Sequence, residues 1–175
     1  MFKTIAIIIA VALLAVLGYA TTRPNEFAVA RSIEVNAPAE TIYPLIDDFH
    51  QWSAWSPYER MEPSMKRTFS GADSGRGAVY AWEGHAKAGT GRMEITRTSR
   101  PTALTIALEF TKPFRASNIV EFTLVPSGDV TTVTWSMHGR NGYVAKLMSV
   151  FLDMDAMVGG PFETGLVALK LAAEH

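Results

Sequence analysis

The side chains that most often hold metals or attack substrates are few and scattered in this sequence of 175 residues. Its histidines are His50, His85, His138 and His175, and no pair of them has the i, i+4 spacing or the strand-alternate spacing of a metal site. The chain has no cysteine, which removes disulfides, thiolate nucleophiles and cysteine-ligated metals. We therefore expect no bound metal.

Paired carboxylates are the next candidates, because two of them can divide the acid and base roles of a reaction. They occur at Asp47 and Asp48, where a predicted helix ends, and at Asp153 and Asp155, which flank one apolar residue. Both pairs are interpreted as solvated surface residues.

Residues 89–91 (GTG) lack the third glycine and the following helix of a dinucleotide site, and no GxSxG sequence is present. The sequence predicts no cofactor and no catalytic residue.

Other polar residues could contact a ligand held inside the fold. Arg31 has the strand parity of its apolar neighbours, and a guanidinium that points inward needs a carboxylate partner or an anionic ligand. Tyr58 and Tyr80 could offer a phenol to a ligand carbonyl at a cavity mouth. Glu83 and His85 have the strand parity opposite to that of Trp82 and are expected to be exposed. For each of these residues a structural or surface role is the first interpretation.

The charge balance argues against a polyanionic partner. A formal net charge of −1 and a charged fraction of 19% provide no basic excess with which to neutralise phosphates. We expect no nucleic-acid partner.

The length of the chain suits one domain with a substantial core and is too short for two ordinary domains.

The N-terminus carries an uncharged apolar run from Ile5 to Tyr19, preceded by Lys3. The run has about 15 residues, whereas a helix that crosses a bilayer untilted needs roughly 20 and a signal-peptide core needs fewer. The small residues Gly18 and Ala20 suit cleavage after Ala20, while flanking polar residues can extend the helix into the interface. We expect an uncleaved anchor in the inner membrane, single-pass with the domain outside the cytoplasm. Cleavage near Ala20, which would release a periplasmic or secreted domain, is the alternative.

The rest of the chain divides into a linker and one folded domain. Residues 1–20 are the anchor or signal segment, residues 21–26 are polar and contain Pro24, and the domain is expected over residues 27–175. A strand is predicted over residues 28–35 and a short helix over residues 39–47, followed by an aromatic-rich turn and a loop.

From Lys66 to Met137 apolar and polar residues alternate, with turn residues at regular intervals. This pattern is typical of consecutive antiparallel strands with one apolar face. After Gly142 apolar residues recur every three or four positions up to Leu169, which predicts a long C-terminal helix on that face. Pro161 lies inside the helical pattern, so we expect a kink or break there.

Residues 33–48 (IEVNAPAETIYPLIDD) and 49–57 (FHQWSAWSP) resemble the opening strand, first helix and aromatic segment of the START/SRPBCC superfamily. Within that superfamily the chain is most similar to the polyketide cyclase/dehydrase and lipid-transport-like branch. The resemblance covers the chain from about Phe27 to the C-terminus. It implies an α+β helix-grip fold, in which a curved antiparallel sheet of about seven strands wraps around the final helix, with a cavity between them.

Aromatic and methionine side chains on the predicted inner faces are the candidate cavity residues, because Met adapts to varied ligands and large rings pack imperfectly. They are Trp52, Trp55, Tyr58, Tyr80, Trp82, Phe110, Phe122, Trp135, Met137, Met148, Phe151 and Met154. For any one of them, filling a dry core is the first interpretation.

These observations favour a membrane-tethered binding or carrier domain for a hydrophobic small molecule such as a lipid, an isoprenoid or a polyketide-like compound. The resemblance also allows a cyclase or dehydratase, which would need a buried acid or base beside the cavity. A third possibility is a protein-interaction module in which the Trp52 and Trp55 loop docks a partner.

Overall fold

The computed structural model describes residues 2–85 and 88–175, with the backbone but not the side chain of Met154. Its elements in chain order are α1 (Phe2–Thr22), β1 (Glu26–Val35), α2 (Ala39–Asp47), a 3₁₀ turn (Phe49–Gln51), α3 (Trp52–Trp55), α4 (Pro57–Met61), β2 (Lys66–Gly71), β3 (Ala78–Glu83), β4 (Thr90–Ser99), β5 (Ala103–Lys112), β6 (Ala116–Ser127), β7 (Val130–Arg140), α5 (Tyr143–Met148) and α6 (Met154–Ala173).

Helix α1 is longer than its apolar run and has almost no protein around it. It has 21 residues with a mean hydropathy of 2.4 over its most apolar window, and Ala20 is its buried residue. At 1.5 Å per residue it is about 31 Å long, which matches the hydrocarbon core of a bilayer. The hydroxyls of Thr21 and Thr22 donate to the carbonyls of Gly18 and Tyr19, so these polar residues continue the helix.

The seven strands form one antiparallel sheet in the order β1-β7-β6-β5-β4-β3-β2. Alternate residues of each central strand are buried, as on β5, where Leu104, Ile106 and Leu108 face inward. Successive side chains of a strand point to opposite faces, so the alternation places one apolar face under the helices. The fold class expected from the sequence is confirmed.

The C-terminal helical region departs from the prediction in one respect. Helix α6 continues through Pro161, and the break lies at residues 149–153, between α5 and α6. Asp153 causes this second start, because its carboxylate accepts hydrogen bonds from the backbone N–H groups of Asp155 (2.9 Å) and Ala156 (3.2 Å). The carbonyl that Pro161 leaves without a donor belongs to Met157, which is exposed to water.

Helix α6 lies along β1 and runs in the same direction. At its start, Arg31 of β1 pairs with Asp155 (2.6 Å) and Glu163 (2.6 Å). Near its end, the Nζ of Lys170 donates to the carbonyl of Glu34 at 2.6 Å. Helix α6 therefore covers β1 from Arg31 onward, and the first residues of β1 lie beyond its N-terminus.

Candidate functional site

The centre of the space between the sheet and α6 is occupied by packed aromatic rings. Trp135 stacks on Phe162 of α6 with ring centroids 4.1 Å apart and on Phe122 at 5.1 Å. Trp52 and Trp55 meet the same cluster edge-on, Trp55 at 5.4 Å from Trp135. These four candidate residues and Phe162 are all buried, and they form a solid core at this point.

The loop containing Trp52 and Trp55 is part of this core. The indole of Trp52 donates to the carbonyl of Ile46 (2.9 Å), and that of Trp55 donates to the carbonyl of Leu45 (2.7 Å). The hypothesis that these rings dock a partner protein requires an exposed loop. Both rings are buried, so the hypothesis is wrong. The two tryptophans tie α3 to α2.

The remaining candidates divide into buried and exposed residues. Trp82 and Met137 are buried, and Phe110 is half-buried with its ring edge-on to Trp82 at 5.5 Å. Phe151 is 71% exposed and Met148 is 37% exposed, so the prediction that they lie on the inner face is wrong. Met148 ends α5, which has no buried residue, and Phe151 lies in the break between α5 and α6. The Met154 side chain lies outside the described part of the chain.

The two candidate tyrosines differ in their surroundings. The Tyr80 hydroxyl donates to Glu59 Oε1 at 2.6 Å, so its proton is already bound within the protein. Burial, followed by the interaction with Glu59, raises the pKa of Tyr80. Tyr58 is half-buried with its ring edge-on to Trp135, and burial raises its pKa to about 12.

Glu59 is a buried acid that sequence reasoning did not identify. Its side chain is 10% exposed, and its Oε2 accepts a hydrogen bond from the Nε of Arg67 at 2.6 Å. Glu59 and Arg67 line a small pocket of about 330 Å³ together with Phe49, His50, Ser53, Arg60 and Phe69. A charge on a short helix and its partner on the following strand carry no periodic signal, which is why the pattern of residues did not reveal the pair.

Asp47 corrects the interpretation of the first carboxylate pair as solvated. It is 1% exposed at the end of α2, and its Oδ2 lies 3.2 Å from the guanidinium of Arg100 without hydrogen-bond geometry. Burial raises its pKa, and Arg100 opposes that rise. Asp48 is half-buried and accepts hydrogen bonds from the backbone and ring of His50.

Arg31 has carboxylate partners, Asp155 and Glu163, and its side chain is 24% exposed. The ion pair joins β1 to the first turns of α6. Glu83 and His85 are exposed, as their parity predicts. Among residues 2–85 and 88–175 no group of three or more potential ligands is placed to hold a metal ion.

A cleft lies at the end of the sheet where β1 begins and β7 ends. It has a volume of about 630 Å³ and is partly open to solvent. Three consecutive residues from each of four adjacent strands line it, namely 26–28, 138–140, 117–119 and 107–109. None of the eleven aromatic and methionine candidates whose side chains the structure describes lies in this lining.

Two rows of side chains cross the cleft, one from each face of the sheet. Ala28, His138, Ile119 and Ala107 are register neighbours and form the more exposed row. The row on the helix-covered face consists of Phe27, Gly139, Asn118 and Leu108. A third row, on the same face as Ala28 and exposed, borders the cleft and consists of Glu26, Arg140, Ser117 and Glu109. The cleft therefore combines apolar side chains with imidazole, amide and charged groups.

Asn118 is the buried polar residue of the cleft. It is 9% exposed, and its side chain makes no hydrogen bond to any described residue. Its amide atoms keep some contact with solvent, so water can satisfy them in the free protein and a ligand atom can replace that water. The amide is thus available to bind a carbonyl or a hydroxyl group.

The chain matches a known protein family. The family model described as "Polyketide cyclase / dehydrase and lipid transport" matches residues 26–174, which is the whole sheet and the helices around it. A comparison with curated protein sequences returns no match.

Similar solved structures share the fold at low sequence identity. Protein CV1439 from Chromobacterium violaceum is 13% identical with a TM-score of 0.60, and the match covers 87% of this chain and 99% of that one. CalU16 from Micromonospora echinospora is 16% identical with a TM-score of 0.54, over 85% and 84% of the two chains. Aha1 from Colwellia psychrerythraea, solved as a dimer, is 14% identical with a TM-score of 0.59, over 85% and 96%.

Proposed function

Because the chain belongs to the polyketide cyclase/dehydrase and lipid transport family, we propose that it is a membrane-tethered binding or carrier domain for a hydrophobic small molecule. The observation that carries the proposal is the cleft of about 630 Å³ at the sheet end next to α1. Ligand pockets of roughly 300–1,000 Å³ suit small organic molecules. The ligand enters from the side of the domain that faces the bilayer.

The lining indicates an amphipathic ligand. Phe27, Leu108 and Ile119 provide an apolar surface, while Asn118 offers a buried amide. A molecule with an apolar body and one carbonyl or hydroxyl group satisfies both. Lipids, isoprenoid quinones and polyketide-like compounds have this character.

The membrane tether is α1 in its uncleaved form, with the domain outside the cytoplasm. Ala20 is fully buried, and the Tyr143 hydroxyl donates to the carbonyl of Leu17 at 3.2 Å. Cleavage after Ala20 would remove these contacts between the helix and the domain. They support retention of α1 over release of a periplasmic domain.

Blocking the cleft tests the proposal. The full chain is purified from membranes in mild detergent, and native mass spectrometry measures the bound small molecule. Ala28→Trp places a large ring on an exposed position of the cleft, so we expect loss of the co-purifying ligand. Ala30→Trp is the matched control, because Ala30 is exposed two residues along the same face of β1 and does not line the cleft.

The outcomes separate the carrier from other functions. Ligand retained in Ala28→Trp, or no ligand in the wild-type protein after incubation with lipid and isoprenoid extracts, would refute the carrier proposal. The cyclase or dehydratase remains the second candidate, because Glu59 is a buried acid beside a pocket. It predicts that the molecule recovered from the wild type lacks one water relative to the molecule recovered from Glu59→Gln.

A further inference from the structure

The region between β7 and the body of α6 presents an apolar surface, here termed the 143–157 patch. Its side chains are 37% to 71% exposed, and they are Tyr143, Val144, Met148, Phe151, Leu152 and Met157. No residue of α5 is buried. The range 143–157 also contains the exposed carboxylates of Asp153 and Asp155, the second of which pairs with Arg31. A group of exposed apolar side chains of this size on a folded domain marks a site that something apolar covers.

The patch is held beside the C-terminal end of α1 by hydrogen bonds. The Arg23 guanidinium donates to the Ser149 carbonyl (3.0 Å) and to the Ser149 hydroxyl (3.2 Å). The Tyr143 hydroxyl donates to the carbonyl of Leu17. Residues 143–149 are therefore fixed at the level of residues 17–23.

The position of residues 17–23 relative to the bilayer determines what covers the patch. Nearly every side chain of α1 is apolar and exposed, and a helix that is hydrophobic all round needs a covering on every side. If lipid covers α1, the helix leaves the hydrocarbon near Tyr19, where aromatic residues mark the interface. The bilayer surface then continues from α1 directly onto Tyr143 and its neighbours.

We infer that the 143–157 patch inserts into the outer surface of the lipid bilayer and orients the cleft toward it. The inference rests on the proposed function, because it takes α1 as a membrane anchor. Tyr143, level with Leu17, lies deepest, and Phe151 is the most exposed member. Interfacial segments of this type bury apolar side chains about 5–10 Å into the boundary between headgroups and acyl chains.

The chain connections bring the cleft to the same surface. β7 contributes Arg140 to the cleft lining and α5 begins at Tyr143, so at most about 10 Å of extended chain separates the cleft from the patch. β1 contributes Glu26 to the lining, and α1 ends at Thr22. An amphipathic molecule can thus pass between the bilayer and the cleft over a short distance.

The absence of cysteine allows a direct test on the full chain. Phe151→Cys is labelled with an environment-sensitive fluorophore, and the protein is reconstituted into phosphatidylcholine vesicles with or without nitroxide-labelled lipid. We expect a blue shift on transfer from detergent to vesicles and quenching by the nitroxide lipid. Leu171→Cys is the matched control, because Leu171 is also apolar and exposed (54%) but lies near the other end of α6. Its label should remain water-like.

The outcomes distinguish failure of the patch to insert from failure of α1 to anchor the chain. Alkaline carbonate extraction of the same vesicles reports whether α1 spans the membrane. A chain that resists extraction while its Phe151 label stays water-like overturns the inference and leaves the tether intact. A label that is already blue-shifted at high protein concentration in detergent, and is not quenched by nitroxide lipid, shows that a second copy covers the patch, which also overturns it. A chain that is extracted by carbonate refutes both.

Discussion

At the scale of single residues, the two neighbouring carboxylates Asp47 and Asp48 have opposite environments. Asp47 is 1% exposed and its Oδ2 lacks a hydrogen bond in the described structure, whereas Asp48 receives hydrogen bonds from His50 and Gln51. Burial raises the pKa of Asp47. For Asp48, burial acts in the same direction, but the hydrogen bonds outweigh it and lower the pKa. One step along the chain reverses the effect of ionisation on stability.

Asp47→Asn is expected to stabilise the protein at pH 7. The folded state holds the Asp47 proton more tightly than the unfolded chain, whose carboxyl titrates near 3.8, so the stability contributed by this group falls as pH rises through the folded-state pKa. The neutral amide removes the cost of the buried charge. Thermal unfolding in detergent, followed by the near-ultraviolet circular dichroism of the buried tryptophans, measures the difference, which should shrink as pH falls toward 3.8.

Asp48→Asn is the matched control and should show the opposite sign. The lowered pKa means that ionised Asp48 stabilises the fold above pH 3.8 and that this stabilisation is lost on acidification. The variant should be less stable than the wild type at pH 7 and should approach it in acid. Equal effects of the two substitutions at pH 7 would contradict the assignment.

At the scale of elements, a close approach of helix and sheet depends on Gly165 of α6. A Cβ at this position would lie 2.7 Å from the Trp135 ring and 2.9 Å from Cδ of Pro57, both shorter than any normal contact. The absence of a side chain allows α6 to lie against the ring that also stacks on Phe162. Gly160, in the same helix, has no neighbour outside the helix within 4 Å of such a Cβ.

Gly165→Ala should therefore destabilise the protein more than Gly160→Ala. Overpacking against Trp135 is expected to destabilise Gly165→Ala by about 1–3 kcal/mol. Gly160→Ala gains about 0.5–1 kcal/mol of helix propensity, but its Cβ meets the ring of Pro161, which follows it, so we expect a net change close to zero. Urea unfolding of both variants in detergent gives the two free energies, and a stabilised Gly165→Ala would show that α6 does not pack as closely as described.

Sequence reasoning succeeded where burial follows a simple period. The boundaries of α2, residues 39–47, and the alternation of the strands follow from local signals that the tertiary structure preserves. The inner-face assignment failed for Met148 and Phe151 because an apolar stripe predicts a covered face and does not say whether protein or lipid covers it. The break before α6 depends on one capping residue, Asp153, within a continuous helical pattern.

The candidate site was less predictable than the fold. The cleft takes residues from both faces of four strands, so no parity rule selects them. Asn118 is identified only by the burial of its side chain. The burial of Asp47 likewise depends on distant segments, because the backbone N–H of Gly75 donates to its carbonyl at 2.8 Å and Arg100 approaches from the end of β4. The resemblance to the START/SRPBCC superfamily is confirmed over residues 26–174.

At the scale of the whole molecule, a helix suited to a bilayer is joined to a domain by residues 23–25. These residues are held in place, since the carbonyl of Asn25 accepts from the backbone N–H of Asn141 at 2.8 Å and its side chain accepts from Lys146 at 2.5 Å. The C-terminal end of α1 is consequently in direct contact with the domain.

This arrangement predicts that the chain is an integral membrane protein whose domain does not separate from the bilayer. After expression with its own N-terminus in a bacterial cell, it should remain in the membrane after alkaline carbonate treatment. The intact mass should include residues 2–20, and protease added outside the cytoplasm should reach the domain. A carbonate-soluble product that begins at Thr21 would show that α1 is a cleaved signal.

The short connection between α1 and β1 also limits how far the domain can move from the end of α1. Three extended residues reach about 10 Å, far less than the separation between two membranes of a cell envelope. If α1 anchors the chain as proposed, the domain stays close to one membrane and cannot carry a ligand across an aqueous compartment. The proposed carrier would then exchange its ligand only with partners at the same membrane, which it meets at a high effective concentration.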